Sequence, residues 1–540
     1  MRIAIAQINP TLGDFKGNKR LILDRVLEAH GKNSRLVVFP ECALFGYHPF
    51  DLLERKNIVR RQFQEIKDIE KKIPKGIAVL VGLLTENESK KGRPYFNTAA
   101  LIEKGKKTKF FHKTLLPTGD VFDEARFIEP GDMRKNFFTL DRKKFFLSIC
   151  EDIWAWPEAD GSSPYLINPL AKIPKKGCDF VINLSASPWF PGKIDRRRRV
   201  AAATAKHFKA PVLYTNLVGA QDEVIFDGRS FLMDQKGEVV FECEAFEEDL
   251  NVFNLETLQS WTPSRPFRSK EDELRAALVL GIRDFCRKTG LRKVHLGLSG
   301  GIDSALVACL AVDALGAGAV DAFALPGPFS APESLKWAEE LARNLNIPLK
   351  EIPITPFYEV LKAGLEKSLG IESFGIVHEN LQSRLRGLIL MAHSNQTQSL
   401  LLTTGNKAEY ATGYATLYGD MCGGLAPIGD LTKHQVFQIS KLYNREREII
   451  PSGILERPPS AELRPNQKDQ DSLPAYDILD AAVVNIVEKG KDSRGQTDKW
   501  LLDRVFKTEF KRWQAAPILK ASSHSFGRGR RFPVAHQYRE

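Results

Sequence analysis

From Val294 to Leu298 an apolar, strand-like run passes directly into Ser299-Gly300-Gly301-Ile302-Asp303-Ser304 and then into an apolar, helix-like stretch ending at Leu315. A short strand joined to a helix by so tight a glycine turn commits this region to a layered α/β architecture. Glycines at such a turn let backbone N–H groups approach an anion closely, and the helix N-terminus adds positive partial charge. Residues Gly297, Leu298, Ser299, Gly300, Gly301, Ile302, Asp303 and Ser304 are therefore a candidate phosphate cradle. The two serines offer hydroxyl donors, and Asp303 offers a carboxylate for a magnesium ion on the phosphates. No Walker A lysine is present, which excludes the ordinary P-loop. A plain Gly-Gly corner in a doubly wound sheet is the simpler reading, but Ser-Gly-Gly-x-Asp-Ser in a strand–helix context is far more specific.

At 540 residues and 43% hydrophobic content, the chain is expected to form two or more domains with large cores. Its start, Met1 to Gln7, lacks the long apolar region of a secretory signal, and no stretch of about 18 apolar residues appears. The seven cysteines (Cys42, Cys150, Cys178, Cys243, Cys286, Cys309 and Cys422) are scattered, without a C-x-x-C pair. That pattern is neither a disulfide framework nor a zinc site, and predicts a cytoplasmic protein with reduced thiols and no membrane partner. The net charge of +11 admits a nucleic-acid binder, but the excess sits in local runs such as Arg196 to Arg199 and Arg528 to Arg531. With no helix-turn-helix, zinc-finger or stacking signature beside them, solvated basic surface or sites for small anions is the better reading, with no nucleic acid expected.

Short apolar runs alternate with amphipathic stretches from the first residue. Strands are predicted at Arg2 to Gln7, Leu36 to Phe39, Ile77 to Gly82, Thr98 to Ile102, Phe145 to Ile149, Phe180 to Leu184 and Val212 to Asn216. Helices are predicted at Asn18 to His30 and Asp195 to Lys209, and a hairpin turns about Gln235-Lys236-Gly237. Prolines 263 and 266 mark a boundary, and Ser269 followed by Glu271, Asp272 and Glu273 reads as a helix start. A second α/β pattern follows, through Ala319 to Leu325, the helix Pro332 to Leu345 and the strand Leu400 to Thr404. The proline-bearing segment Arg457 to Asp471 reads as a mobile loop, and the tail after Ala521 as polar and basic.

The N-terminal half holds a second constellation. Glu41 follows the strand ending at Phe39, Lys113 closes Lys109-Phe110-Phe111-His112, and Cys150 ends Phe145 to Ile149. All three fall at strand ends, where open α/β sheets place their chemistry. A thiolate attacks a carboxamide carbon, a carboxylate takes the thiol proton and returns it to leaving ammonia, and an ammonium stabilises the oxyanion and favours the thiolate. Spacing alone makes this weak, since a cysteine at a strand end is usually packing. Cys42, beside Glu41, is read as packing.

Both constellations resemble known families. The phosphate cradle resembles the pyrophosphate loop of the ATP-pyrophosphatase family, whose members adenylate a carbonyl oxygen and release pyrophosphate. Within it, Glu379-Asn380-Leu381-Gln382-Ser383-Arg384, Thr403-Thr404-Gly405-Asn406-Lys407-Ala408-Glu409, Tyr418-Gly419-Asp420-Met421, Gly429-Asp430-Leu431-Thr432-Lys433 and Phe510-Lys511-Arg512-Trp513-Gln514 are similar to segments of the glutamine-dependent NAD synthetases. Ser383 stands where those proteins usually have alanine. The resemblance implies that Thr404 and Lys433 contact ATP, that Asp303 and Glu409 share magnesium, and that Asn380, Glu409 and Lys511 hold deamido-NAD. Lys433 and Lys511 also fit surface charges.

The Phe-Pro-Glu41, His-Lys113 and Cys150-Glu-Asp-Ile-Trp contexts, with Phe122-Asp123-Glu124-x-Arg126-Phe127 and Ala186-Ser187-Pro188, resemble the nitrilase (carbon–nitrogen hydrolase) family in the form fused to NAD synthetases. The resemblance implies a Glu-Lys-Cys triad, with Ser187 and Lys193 gripping glutamine. Gly119 occupies a glutamine-contacting position where the family carries tyrosine. The implied fold is α/β: a nitrilase-like αββα sandwich over 1–258, a linker over 259–270, and a doubly wound parallel-sheet ATP-pyrophosphatase domain over 271–540. The implied reaction is ATP-dependent amidation of deamido-NAD with ammonia from glutamine, in a homo-oligomer. Another glutamine amidotransferase of the same ATP family, such as a GMP or asparagine synthetase, an ATP-using RNA-modifying protein and a degenerate binding protein remain the alternatives.

Overall fold

In the first strand, Arg2–Gln7 (β1), every residue but the first is buried, so this sheet must be covered on both faces. The computed structural model describes residues 1–89, 91–158, 160–259 and 267–538, and the chain divides into two compact units, Met1–Pro266 and Phe267–Glu540. The expected linker falls largely on residues 260–266, outside the described residues.

In the first unit, β1 is followed by α1 (Phe15–Gly31), β2 (Leu36–Val38), α2 (Asn57–Lys72), β3 (Ala78–Glu86), β4 (Tyr95–Glu103) and β5 (Lys109–His112). Then come β6 (Phe137–Leu140), β7 (Lys143–Ile149), β8 (Phe180–Ser185), α3 (Lys193–Phe208), β9 (Val212–Asn216), β10 (Val218–Gln221), β11 (Val224–Asp227), β12 (Phe231–Met233), β13 (Val239–Glu242) and β14 (Asp249–Asn254). Two six-stranded sheets result, ordered β14-β1-β2-β3-β4-β5 and β13-β12-β9-β8-β7-β6. The centre of each is parallel, β1-β2-β3 and β7-β8-β9, with antiparallel strands at both edges.

Alternation along each strand divides the layers. Ile3, Ile5, Val38 and Leu80 meet Phe145, Leu147, Phe180 and Ile182 of the facing sheet in one core. Their neighbours Ala4, Val37 and Val79 turn outward onto Ile22 and Val26 of α1 and Ile66 and Ile69 of α2. On the far side, Phe146, Val181 and Val212 pack on Val200, Ala201 and Phe208 of α3. This is an αββα sandwich. The predicted strands and two helices are present; the edge strands β6 and β14 and the β10–β11 ribbon are not among the predicted elements, because strands this short carry little periodicity, and α2 is absent from them although Val59, Ile66 and Ile69 line one buried face of it.

In the second unit the order is α4 (Lys270–Thr289), β15 (Val294–Gly297), α5 (Ile302–Leu315), β16 (Val320–Ala324), α6 (Pro332–Leu345), β17 (Leu349–Glu351), α7 (Thr355–Leu369), α8 (Ile376–Thr397) and β18 (Leu400–Leu401). Beyond lie α9 (Lys407–Thr412), α10 (Lys433–Tyr443), α11 (Ser452–Glu456), α12 (Tyr476–Val483), α13 (Gln496–Lys507) and α14 (Glu509–Arg512). Strands β17-β16-β15-β18 form a wholly parallel sheet. His295 Nε2 donates to Leu390 O of α8 at 3.0 Å, while Val294 and Leu296 point to the opposite face, where α5 packs, so the sheet is doubly wound. Ser269 caps α4 as its sequence predicts, accepting from Asp272 N.

Two expectations need correction, and a third is incomplete. The strand drawn from Leu400 to Thr404 ends at Leu401, because the chain must leave the sheet to present the Thr403-Thr404-Gly405-Asn406 turn. Arg457 to Asp471 is irregular but tied down: Leu463 O accepts from Gln382, Glu462 pairs with Arg457, and buried Asp469 accepts from Tyr476. The tail after Ala521 is polar and basic as read, but it is not merely a surface segment: it carries buried Phe526 into the core of α9, α12 and α13, and Phe532 lies tilted against Phe506.

Candidate active sites

Glu41 is the third residue beyond β2, in a turn pressed against β3. A Cβ on Gly82 would lie 2.3 Å from Cys42 N and 2.5 Å from Pro40 O, so only glycine permits that approach. The Glu41 carboxylate is sealed from solvent: Oε1 accepts from Lys113 Nζ at 2.8 Å and Asn97 Nδ2 at 2.7 Å, and Oε2 from Ala186 N at 2.8 Å. Lys113 follows β5 directly, and its ammonium also reaches Glu124 Oε1 at 2.9 Å. The Tyr47 hydroxyl donates to that same oxygen at 2.5 Å. Cys150 opens a single 3-10 turn, Cys150–Ile153, with φ +43°, a left-handed conformation uncommon outside glycine and characteristic of strained functional turns.

Asp152 binds the two halves of this site together. Its Oδ1 accepts from Thr114 N and Leu115 N at 2.8 and 2.9 Å, and its Oδ2 from Ile149 N at 2.8 Å. One buried carboxylate thus fixes the chain after Lys113 to the chain before Cys150. Glu124, Asn97 and Asp152 were not assigned from sequence, although Glu124 and Asp152 lie inside quoted motifs; burial and partners gave them their roles.

Burial pushes the Cys150 thiol well above its ordinary range, and Glu41 adds to this while Lys113 opposes it. The resting nucleophile is therefore a neutral thiol, and the expected stabilisation of the thiolate by Lys113 is real in sign but outweighed. Burial works against the Lys113 ammonium, yet Glu124 and Glu41 prevail and hold it charged. Glu124 is pushed up to about 7, chiefly by burial. Cys42 is fully buried, its thiol raised by burial and by Glu41, in keeping with a packing role.

Around this core, Glu151 accepts from the Tyr165 hydroxyl at 2.8 Å. Lys193, at the start of α3, sets its ammonium 4.1 Å from the centre of the Trp154 ring, a cation–π contact. Burial first, then Arg197 and Arg196, push Lys193 down to about 7. Ser187 is buried, held by Asn216 and Arg197. Gly119 is exposed, and a Cβ there would meet nothing within 4 Å.

In the second unit, Gly300 takes φ +75° and a Cβ on it would fall 2.2 Å from Ser334 O, so this corner requires glycine. Leu298 and Ile302 are core side chains, leaving only their backbone for the cradle. Ser299 Oγ accepts from Gly301 N at 3.2 Å, and the Ser304 hydroxyl donates to Gly301 O at 2.9 Å. Ser304, expected to donate outward, instead shapes the loop from within, as a buried hydroxyl must find a local partner. Ser299 and Gly301 stay exposed at the N-terminus of α5, and Gly297 and Thr404 are partly exposed.

Asp303 Oδ2 accepts from Lys433 Nζ at 2.5 Å, and its Oδ1 from Asn406 Nδ2 at 3.0 Å. Asn406 also donates its backbone N–H to Glu409 Oε2 at 3.0 Å, so one asparagine bridges both carboxylates. Burial first, then Asp303, push Glu409 well above the ordinary carboxylate range, with Lys433 opposing. Lys433 is 2% exposed and is not a surface charge. Asn380 Oδ1 accepts from the Thr416 hydroxyl at 2.9 Å, and Lys511 Nζ donates to Gly413 O at 2.8 Å and Ala415 O at 2.7 Å. Residues from α8 and α14 thus converge on the segment 413–416. The nearby Asp420 carboxylate accepts from Thr416 N and the Ser383 hydroxyl, giving Ser383 a partner that alanine would lack. Glu409 stands with Asp303 and Asn406. Cys286 and Cys309 are core thiols of α4 and α5, raised by burial, without the exposure a reactive cysteine needs.

A buried glutamate, lysine and cysteine on an αββα sandwich, followed by a glycine-cornered anion cradle on a parallel sheet, define a carbon-nitrogen hydrolase joined to a nucleotide-using synthase. The family models agree: a carbon-nitrogen hydrolase matches residues 2–262 and an NAD synthase residues 274–515. The chain belongs to the family of glutamine-dependent NAD(+) synthetases, and is a ligase of that kind. The relative from Synechocystis sp. is 41% identical, with 99% of each chain covered, and that from Thermotoga maritima 36% identical, over 100% of this chain and 99% of that one. The solved structure of the glutamine-dependent NAD+ synthetase from Acinetobacter baumannii in complex with ADP has a TM-score of 0.78 at 33% identity, covering 99% of this chain and 98% of that one. Among the described residues, no helix is long and apolar enough to cross a membrane.

Proposed function

We propose that residues 1–258 release ammonia from glutamine and that residues 271–540 use it to convert deamido-NAD to NAD, by way of an adenylate and with release of AMP and pyrophosphate. The observation that carries this reading is the coexistence in one chain of the sealed Glu41–Lys113–Cys150 site and the Gly300–Gly301 cradle. In the first, Glu41 takes the Cys150 proton as sulfur attacks the amide carbon, Lys113 faces the oxyanion, and Glu41 returns the proton to the leaving ammonia. Ser187 and Lys193 hold the amino acid. In the second, the backbone N–H groups of the cradle, with Thr404 and Lys433, receive ATP, while Asn380 and Lys511 order the deamido-NAD side.

Magnesium fits this second site. Asp303 and Glu409 are two carboxylates joined through Asn406 on one hydrogen-bonded frame, a pair of oxygen donors of the kind this ion takes. Among the described residues, no group of three or more His, Cys, Asp or Glu could hold an ion alone. Phosphate oxygens and water would complete the shell, as is usual for this ion. Bound there, it would neutralise charge on the triphosphate. Incubating the chain with deamido-NAD, ATP and magnesium, with either glutamine or ammonium, is expected to yield NAD and AMP in equal amounts from both donors. NAD from neither donor would refute the assignment.

Gly119 gives this site a quantitative test. Because the position is open and Gly119 shows no left-handed backbone angle, Gly119→Tyr is expected to fit. A phenol restored to the pocket should add one hydrogen bond, lowering KM for glutamine roughly fivefold to a hundredfold with little change in kcat. An unchanged or higher KM would mean that another group, such as the Tyr165 phenol beside Glu151, already serves there.

A further inference from the structure

The run Arg196 to Arg199 lies in the first two turns of α3, and one of its members differs from the rest. Arg196 and Arg199 pair with Glu158, and Arg198 with Glu242, all with partial exposure. Arg197 is 0% exposed, as is Asp227 at the end of β11, whose Oδ1 accepts from Arg197 Nη1 at 2.6 Å. A buried ion pair is costly to desolvate and is weak evidence of a stabilising role. The remaining bonds of the guanidinium point elsewhere. Nε donates to Ser187 Oγ at 3.1 Å, and Nη2 donates to Ser187 O at 2.7 Å and Pro188 O at 3.1 Å. Asn216 completes the clasp, accepting from Ser187 N at 2.8 Å. One residue earlier, Ala186 N is the donor that holds Glu41 Oε2 at 2.8 Å. A single turn therefore carries the donor that aims the general base and the hydroxyl assigned to glutamine.

We propose that Arg197, anchored by Asp227, is a positioning residue for the glutaminase reaction, locking the Ala186–Pro188 turn so that Ala186 aims Glu41 and Ser187 donates its hydroxyl proton to an acceptor oxygen of glutamine. The inference rests on the assignment of Glu41 and Ser187 above. The donor sense follows from geometry: Ser187 Oγ already accepts from Arg197, which leaves its proton to be given away. The Ser187 and Ser185 hydroxyls also interact with the buried Tyr214 oxygen, so a glutamine oxygen takes the Ser187 proton in competition with Tyr214. The planar fork of arginine serves Ser187 and Asp227 at fixed angles, which a lysine ammonium cannot reproduce.

The test uses Arg197→Lys and Asp227→Asn in the full chain, each alone and combined with Ser187→Ala, with NAD synthesis measured from glutamine and from ammonium. Each single variant is expected to lower kcat/KM for glutamine roughly tenfold to a hundredfold, with ammonium-driven rates within about twofold of wild type. In the Ser187→Ala background the Arg197→Lys loss should shrink at least about threefold, since part of it acts through that hydroxyl. Losses that simply multiply, or that fall equally on both donors, overturn the proposal. If Arg197→Lys lowers Tm enough to confuse the reading, Asp227→Asn decides by the same criteria, because it keeps size and an acceptor. Failure of the glutaminase assignment itself would appear separately, as a Cys150→Ala chain that still uses glutamine.

Discussion

Cys150→Ala is expected to abolish NAD synthesis from glutamine, by roughly a thousandfold or more, while synthesis from ammonium continues within about twofold of the wild-type rate. The size of the first effect follows from the site. With the sulfur gone, Glu41 and Lys113 still face one another at 2.8 Å, but nothing remains to bond to the amide carbon. Cys42 cannot replace it: its thiol is enclosed beside Asn97 and raised by burial and by Glu41. The second effect follows from the chain's division into two units with separate cores, since Cys150 lies in Met1–Pro266 and the phosphate cradle in Phe267–Glu540. Removing one small buried side chain from a strained turn should leave the second unit folded. Initial rates with saturating glutamine and saturating ammonium check both statements. Equal loss with both donors would show that the chemistry is not divided between the units in this way.

Asp303→Asn should suppress AMP and pyrophosphate formation with either donor by about a hundredfold to a thousandfold, and leave glutamine hydrolysis detectable. Asparagine keeps the shape of the side chain and a carbonyl to accept from Asn406 Nδ2, but it removes the negative charge. Lys433, 2% exposed, then loses the partner 2.5 Å away, and the carboxylate pair proposed for magnesium is reduced to Glu409 alone. Loss of a buried partner also destabilises locally, so the assay belongs with a thermal melt. Unchanged pyrophosphate production in a folded variant would remove Asp303 from the nucleotide site.

The residues of these sites differ in how far the sequence alone marks them. The strand–Gly-Gly–helix signal around Ser299 to Ser304 was local, because a glycine corner and a helix start are written in adjacent residues, and the elements formed where that signal lies. Likewise the central strands of the N-terminal half are legible, since doubly covered strands read as unbroken apolar runs, but their direction and their division into two sheets are not. Glu41, Lys113 and Cys150 were nameable only through their motif contexts; their spacings of 72 and 37 residues carry no geometric meaning by themselves. Tertiary structure alone decided that Asp152 ties two of them together, that Glu124 shares the lysine, and that Asn406 joins Asp303 to Glu409. It also divided four consecutive arginines into three partly exposed ion pairs and one sealed clasp. The physical reason is that a sequence records chemistry and local backbone preference, whereas the burial and charge partners that set a side chain's role come from segments tens to hundreds of residues away.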